Sequence, residues 1–379
     1  MANDTTTSKA LLKGLLLKPL SIAYGAVTAT RNKMFDCGML EQRSFDIPVL
    51  VVGNIAVGGT GKTPHAEFLI EMLRANYHLG VLSRGYNRRT KGFRLASPES
   101  DARQIGDEPY QIYRKFGDKG VMVAVCEDRC KGIDRMRELD PELNLIILDD
   151  AFQHRYVKPT VSIVLTEHSR PVFDDEMMPA GRLREGACAM HRADIVVVTK
   201  CPDDMKQIDY RIFTKNLGLY PYQQLFFSKY AYGDLTPLFP EEAVATPPPR
   251  LLSMSESDTI VVVAGIANPK PFIKKIRTSK ARIRGLVFKD HHNFTRNDIV
   301  AIIDKIKTAP DPAHTIVVTT EKDAMRLRDF PGLPKSLKRR IYYMPVNVEF
   351  IPTAIHGNQD GAREFAESVI NRLRRGGQQ

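Results

Sequence analysis

The chain has 379 residues, 43% of them apolar and 26% charged. That length suits two domains or one elaborated one, and the composition excludes a disordered chain, a collagen-like repeat and a coiled coil. Lysine plus arginine outnumber aspartate plus glutamate by 55 to 44, a net charge of +11 that suits an anionic partner without choosing between nucleotide, nucleic acid and acidic membrane.

Residues 8–35 carry five basic side chains (Lys9, Lys13, Lys18, Arg31, Lys33) and no acid, with Leu11, Leu12, Leu15, Leu16 and Leu20 at helical spacing. The pattern predicts an amphipathic helix. Its leucine face either enters the acyl boundary of a membrane, with lysines at the headgroups, or packs on the domain. Lys13 and Lys18 interrupt the apolar region, so a cleaved signal peptide is not expected. No run reaches about 18 uninterrupted apolar residues, so no spanning helix is expected. The cysteines, at 37, 126, 130, 188 and 201, are odd in number and form no zinc spacing with histidine; reduced thiols are expected.

Short runs rich in Val, Ile and Leu follow at 48–53, 80–83, 121–125, 145–149, 161–165 and 195–199, with helical patterns between several of them, such as 65–75. Runs without clean alternation are what strands buried on both faces of a parallel sheet look like. They predict an open, doubly wound α/β sheet. An aromatic strand follows near 224–232, then a stiff connector containing Pro247, Pro248 and Pro249. A second α/β pattern comes next, with strands at 259–264, 283–288 and 315–320. Another aromatic strand is expected at 341–346 and a last helix at 362–374.

The first of these strands runs directly into Ala56-Val57-Gly58-Gly59-Thr60-Gly61-Lys62-Thr63, and a helical pattern follows. This is a Walker A loop with Ala56 in place of the first glycine. Glycines let backbone N–H groups wrap a β-phosphate, and the helix N-terminus adds partial positive charge. Lys62 would reach the β and γ oxygens, and the Thr63 hydroxyl would ligate Mg²⁺. The run 145–150 (LIILDD) then reads as a Walker B strand, with Asp149 as the metal carboxylate and Asp150 beside it. Gln153 and His154 fall near the same spot, and Gln153 joins the candidate metal ligands. After the strand at 195–199 comes Lys200-Cys201-Pro202. Pro202 stands where a guanine-reading Asp would follow T-K-x in a GTPase, which favours ATP.

Other segments share this order along the chain: Ser83-Arg84-Gly85-Tyr86, Gly106-Asp107-Glu108-Pro109, residues 179–185 (PAGRLRE), Gly265-Ile266-Ala267-Asn268-Pro269, Asp290-His291-His292 and Thr320-Glu321-Lys322-Asp323. With the P-loop and ILDDAFQH, they closely resemble the tetraacyldisaccharide 4'-kinase family, the lipid A 4'-kinases, from about residue 10 to the last helix. The resemblance implies transfer of the γ-phosphoryl of ATP, with Mg²⁺, to the 4'-hydroxyl of a tetraacylated glucosamine disaccharide 1-phosphate. It also implies a P-loop NTPase-like domain and a second, smaller α/β domain joined by a two-stranded linker. The division expected is 1–35 membrane-associating helix, 36–223 P-loop domain, 224–250 linker strand and connector, 251–339 smaller domain, 340–350 returning linker strand, and 351–379 helix packing back on the P-loop domain.

Asp107 is the choice for the base that accepts the sugar hydroxyl proton, and the resemblance assigns the same role; spacing alone would read Asp107 and Glu108 as acids at a helix start. His291 is its expected partner, supported by Asp290, with His292 as the rival. Arg184 would neutralise γ-phosphate charge, and Glu185 would hold that arginine in place. The resemblance places the protein peripherally at the cytoplasmic face of the bacterial inner membrane, on an anionic surface, with an acylated disaccharide lipid as substrate. Residues 270–289 hold eight Lys/Arg and no acid, either drawing anionic lipid or simply solvated. No nucleic-acid motif is recognisable and no obligate protein partner is inferred. The rival readings are a P-loop ATPase or kinase acting on a soluble substrate, and a non-enzymatic nucleotide-dependent adaptor.

Overall fold

The computed structural model describes residues 17–243, 247–290, 292–353 and 360–376. Fourteen strands appear among these: β1 (Val49–Asn54), β2 (Leu79–Ser83), β3 (Arg94–Leu95), β4 (Met122–Val125), β5 (Leu145–Asp149), β6 (Val161–Glu167), β7 (Ile195–Thr199), β8 (Gln224–Tyr232), β9 (Thr236–Pro237), β10 (Thr259–Ala264), β11 (Arg282–Val287), β12 (Thr315–Thr320), β13 (Ile341–Met344) and β14 (Val346–Phe350). The main helices are α1 (Lys18–Asp36), α2 (Lys62–Leu73), α3 (Asp107–Phe116), α4 (Arg129–Leu139), α5 (Gln207–Leu217), α6 (Lys270–Ile276), α7 (Arg296–Lys307), α8 (Glu321–Arg328) and α9 (Gly361–Gly376).

The strands form two sheets, ordered β14-β8-β7-β6-β1-β5-β2-β4-β3 and β11-β10-β12-β13-β9. Every pairing is parallel except those of β3, β9 and β14 at the edges. The unbroken apolar runs have their physical reason in β1. Leu50 and Val52 face one core with Leu69, Ile70 and Leu73 of α2, while Val49 and Val51 face another with Ile133 and Met136 of α4. A strand covered on both faces needs apolar residues at every position. Truncating one of these buried side chains to alanine costs roughly 2–5 kcal/mol.

β1 lies between β5 and β6, with the sheet growing outward from it in both directions. Open α/β sheets bind ligands beyond the carboxyl ends of strands at such a reversal.

The connection between the sheets differs in detail from the sequence expectation. Residues 341–346 are not one strand, and 340–350 is not simply a returning linker. Pro345 has no N–H to donate, so the ladder breaks there. β13 completes the second sheet, with Tyr342 opposite Pro237, while β14 pairs along β8, from Val346 opposite Tyr232 to Phe350 opposite Ser228. The Gly233 N–H donates to the Pro345 carbonyl at 2.9 Å, closing the crossover. α9 returns to the larger sheet, where Phe365 stacks on Phe350 with ring centroids 4.0 Å apart.

Residues 8–16, with most of the expected leucine face, lie outside the described residues. The helix that follows them, α1, is docked along one side: Ser21 is buried and its Oγ accepts the Ala180 N–H at 2.9 Å, while Arg155 donates to the Asn32 carbonyl and to Asp36. Its other side leaves Leu20, Ile22 and Val27 exposed, at 57%, 73% and 68%.

Candidate active site

The loop after β1 is propped from several directions. Asn54 Nδ2 donates to Thr60 Oγ1 at 2.6 Å, Thr199 Oγ1 donates to the Thr60 carbonyl at 2.7 Å, and Lys200 Nζ donates to the Gly59 carbonyl while pairing with Glu167 at 3.3 Å. The segment 182–184 lies alongside, with Val57 N–H donating to the Arg182 carbonyl and Arg184 N–H to the Ile55 carbonyl. Ala56 takes part in this through an antiparallel bridge to Leu183. That bridge uses extended backbone any residue adopts, so the missing first glycine leaves the loop shape intact. Gly61 is different. Its φ is +95°, and a Cβ there would stand 2.6 Å from the Tyr230 hydroxyl oxygen. Gly61 caps α2, whose His65 bridges the Gly61 carbonyl and Ser228 Oγ, each at 2.8 Å.

β5 is the neighbour of β1, with Val52 opposite Asp149, so the sheet register carries the acid to the loop. Asp149 is 3% exposed; burial, then the charge of Asp150, pushes its carboxyl up to about 7. Its Oδ1 is buried with no hydrogen-bond partner among the described residues. An orphaned, desolvated carboxylate oxygen in a cleft also lined by the Thr63 hydroxyl and the Gln153 amide belongs to a donor set that fits a hard divalent cation. Asp150 adopts φ +48°, and its Oδ1 meets Lys62 Nζ at 3.6 Å and Arg184 Nη1 at 3.4 Å. Arg184 Nη1 also lies 3.4 Å from Gln153 Oε1, and Gln153 Nε2 donates to the Asn54 carbonyl at 2.8 Å.

Asp107 and Glu108 open α3, at the helix start that their spacing predicts, with Gly106 at φ +95° before it. Both acids reach α8 of the second sheet. Arg326 donates to Asp107 Oδ2 from Nε at 3.1 Å and from Nη2 at 2.5 Å, and Lys322 meets Glu108 at 2.9 Å.

Three comparisons bear on this geometry. A family model described as tetraacyldisaccharide-1-P 4'-kinase matches residues 13–359. The tetraacyldisaccharide 4'-kinase of Bacteroides thetaiotaomicron is 49% identical over 362 residues, covering 94% of this chain and 93% of the relative. The protein of the same name from Bacteroides fragilis is 50% identical over 359 residues, with the same coverage. This chain is a member of the tetraacyldisaccharide 4'-kinase family. Its fold matches the crystal structure of LpxK from Aquifex aeolicus in complex with ATP, with a TM-score of 0.69 at 22% identity, covering 96% of this chain and 99% of that one.

In this family member the two sheets border one cleft of about 2760 Å³, lined by residues of the P-loop with Glu108, Asp149, Asp150, Gln153, His154, Arg184, Glu185, Asp290 and Lys322. Two expectations need correction or relocation. Glu185 does not hold Arg184: it pairs with Arg192 at 2.5 Å and accepts from Asn32 of α1 at 2.7 Å. The chain bends at these two residues, so Arg184 goes to Asp150 and Glu185 goes under α1. His291 lies outside the described residues. His292 Nε2 donates to Asp298 Oδ2 at 2.9 Å and the ring stacks on Phe288, with centroids 4.4 Å apart. His154 stands within 4.8 Å of Asp128 and Cys130, but the Asp128 carboxylate and the His154 Nε2 already accept backbone N–H groups, which marks a helix cap.

Three contacts escaped the sequence reading. Lys200 braces the P-loop, and its signal was present in the lysine of the T-K-x pattern. Arg326 engages Asp107, and its signal was its place one helical turn after Lys322 and Asp323. Glu67, buried on α2, pairs with Lys115 of α3 at 2.6 Å, and Lys115 reaches Glu321 of α8 at 3.1 Å; nothing local announces that triad. Together the loop, the buried acid, Lys62 and Arg184 form an arrangement that can bind a polyphosphate, hold a cation and neutralise charge on a transferring phosphoryl group.

Proposed function

We propose that this chain transfers the γ-phosphoryl group of ATP to the 4'-hydroxyl of a tetraacylated glucosamine disaccharide 1-phosphate. One observation carries the chemistry: Lys62 of the P-loop and Arg184 converge on Asp150, next to the unpartnered buried oxygen of Asp149. The acceptor comes from family membership.

Phosphoryl transfer has a loose transition state, so the protein mainly positions groups and neutralises charge. Residues 56–63 cradle the β-phosphate through backbone N–H groups, and Lys62 and Arg184 spread the γ-phosphate charge. Thr63, Asp149 and Gln153 would hold Mg²⁺, which supplies charge neutralisation at the phosphate oxygens. Asp107 accepts the proton of the attacking hydroxyl, and His291 with Asp290 assists; Glu108, Asp150 and His154 support. Residues 36–223 act as the nucleotide domain and 251–339 as the smaller one, joined through β8 and β14.

The exposed Leu20, Ile22 and Val27, beside the basic residues of the amino-terminal segment, support docking of α1 on an anionic membrane surface. No described helix is long and apolar enough to cross a membrane. A peripheral position at the cytoplasmic face of the inner membrane gives one enzyme access to both ATP and an acylated substrate.

The test is ADP release in mixed micelles. Release that requires both Mg²⁺ and the tetraacyldisaccharide 1-phosphate supports the reading. Release indifferent to the lipid sinks it, in favour of a soluble substrate.

A further inference from the structure

The motif Thr320-Glu321-Lys322-Asp323 has no role in the reaction described above, yet its helix touches the proposed base. Asp323 is fully buried. Its Oδ2 accepts the Gly265 N–H at 2.7 Å and the Thr320 hydroxyl at 2.7 Å, and its Oδ1 pairs with Arg326 at 3.2 Å. Gly265 packs closely here: a Cβ would lie 3.1 Å from Asp323 Oδ1 and 3.2 Å from His292 Cβ, so a side chain would press on both. Arg326, only 7% exposed along its side chain, then directs Nε and Nη2 at Asp107 Oδ2. Three sequence segments thus connect in one line, from the Gly265 loop through α8 to the first turn of α3.

The geometry points to Arg326 as a positioning residue for the phosphoryl transfer, fixing the Asp107 carboxylate through a guanidinium fork that Asp323 holds in turn. This rests on the reading of Asp107 as proton acceptor. The physical case is specific to arginine. A planar guanidinium binds two carboxylates along different edges, whereas an ammonium is a single point charge on a flexible stem. With Asp323 anchored to backbone, the fork has one orientation, and Asp107 inherits it. A proton acceptor displaced by even about 1 Å from its near-attack position loses roughly 100-fold in rate. The flanking contacts, Lys322 with Glu108 and Tyr110 Oη with Asp329 at 2.9 Å, set the register of α3 against α8. Arg326 is the one that reaches Asp107 Oδ2 with two N–H groups.

The test uses the full-length enzyme with ATP and the lipid acceptor. Arg326→Lys keeps the charge and loses the fork. Its kcat should fall by roughly 10- to 100-fold, with the KM for ATP and the Tm close to wild type. Arg326→Met should fall further; if it fails to fold, Arg326→Lys still decides. The decisive arm is the double variant. In the Asp107→Asn background, adding Arg326→Lys should change the residual turnover by less than about twofold, because the two residues act as one unit. Multiplicative losses in the double variant would overturn the inference and leave Arg326 a structural residue, as would wild-type kcat in Arg326→Lys. Full turnover in Asp107→Asn alone would remove the base assignment itself, and the inference with it.

Discussion

Val52 near the end of β1 stands directly opposite Asp149 at the end of β5 in a parallel pair. Four residues after Val52 the phosphate loop begins, so backbone register alone brings Asp149, the proposed metal carboxylate, to that loop. Burial on both faces keeps the two strands apolar up to their carboxyl ends, where Asn54 and Asp149 are the first polar side chains. Lys62 and Arg184 then complete the site from α2 and from the bridge segment at Leu183.

Lys62 lies in a cleft with its side chain 16% exposed and its ammonium 3.6 Å from Asp150. Lys62→Met should lower kcat/KM for ATP by on the order of 100- to 1000-fold, as removal of one preorganised cation at a transferring phosphoryl group does. Steady-state kinetics check this, with circular dichroism confirming an unchanged fold. A loss below tenfold would contradict the assigned role.

Lys200 should matter differently. It braces the Gly59 carbonyl from outside the loop and is itself held by Glu167. Lys200→Ala removes a charge-assisted hydrogen bond, worth about 1.5–3 kcal/mol. The Kd for ATP, measured by calorimetry, should rise roughly tenfold while kcat at saturation changes little.

Glu67 provides a pH signature. Burial, then the charge of Glu321, pushes its carboxyl up to about 7, well above the ordinary 4.5. The native state therefore holds a proton that the unfolded chain has released between about pH 4.5 and 7. Stability from this group is full at the acid end and is lost as pH rises through that window. Glu67→Gln cannot ionise, so the Tm difference between variant and wild type should move in favour of the variant from pH 5 to pH 8. A constant difference across that range would show that Glu67 ionises normally.

Much of this was legible in the sequence, for identifiable reasons. β5, β7, β10 and β12 begin and end where their Val/Ile/Leu runs do, since burial on both faces leaves no ambiguity of period. The P-loop was legible because phosphate binding demands glycines at fixed spacing before a lysine. The break at Pro345 was visible as a residue, but its consequence depended on which sheet each half would join. The partners of Glu185 and Glu67 were not legible at all, and that of Asp107 only as an arginine one helical turn after Lys322 and Asp323. Arg192, Arg326 and Lys115 reach them through tertiary packing, and no local spacing rule specifies which cation a buried carboxylate meets.

The exposed side of α1 gives a prediction about membranes. Ile22→Glu with Val27→Glu places two charges where apolar side chains would enter the interface. Pelleting with vesicles containing anionic lipid should drop several-fold, while turnover in detergent micelles should stay within about twofold of wild type. Undiminished pelleting would leave this face without its proposed role.

The most direct measurement follows the phosphate itself. γ-Labelled ATP, Mg²⁺ and a tetraacyldisaccharide 1-phosphate are incubated with the enzyme in mixed micelles, and the lipid is recovered and mapped. Label on the 4'-oxygen of the distal glucosamine is the result expected. Label released only as inorganic phosphate, with ATP bound normally and the lipid unmodified, would contradict the reaction and leave the shared fold without the shared chemistry.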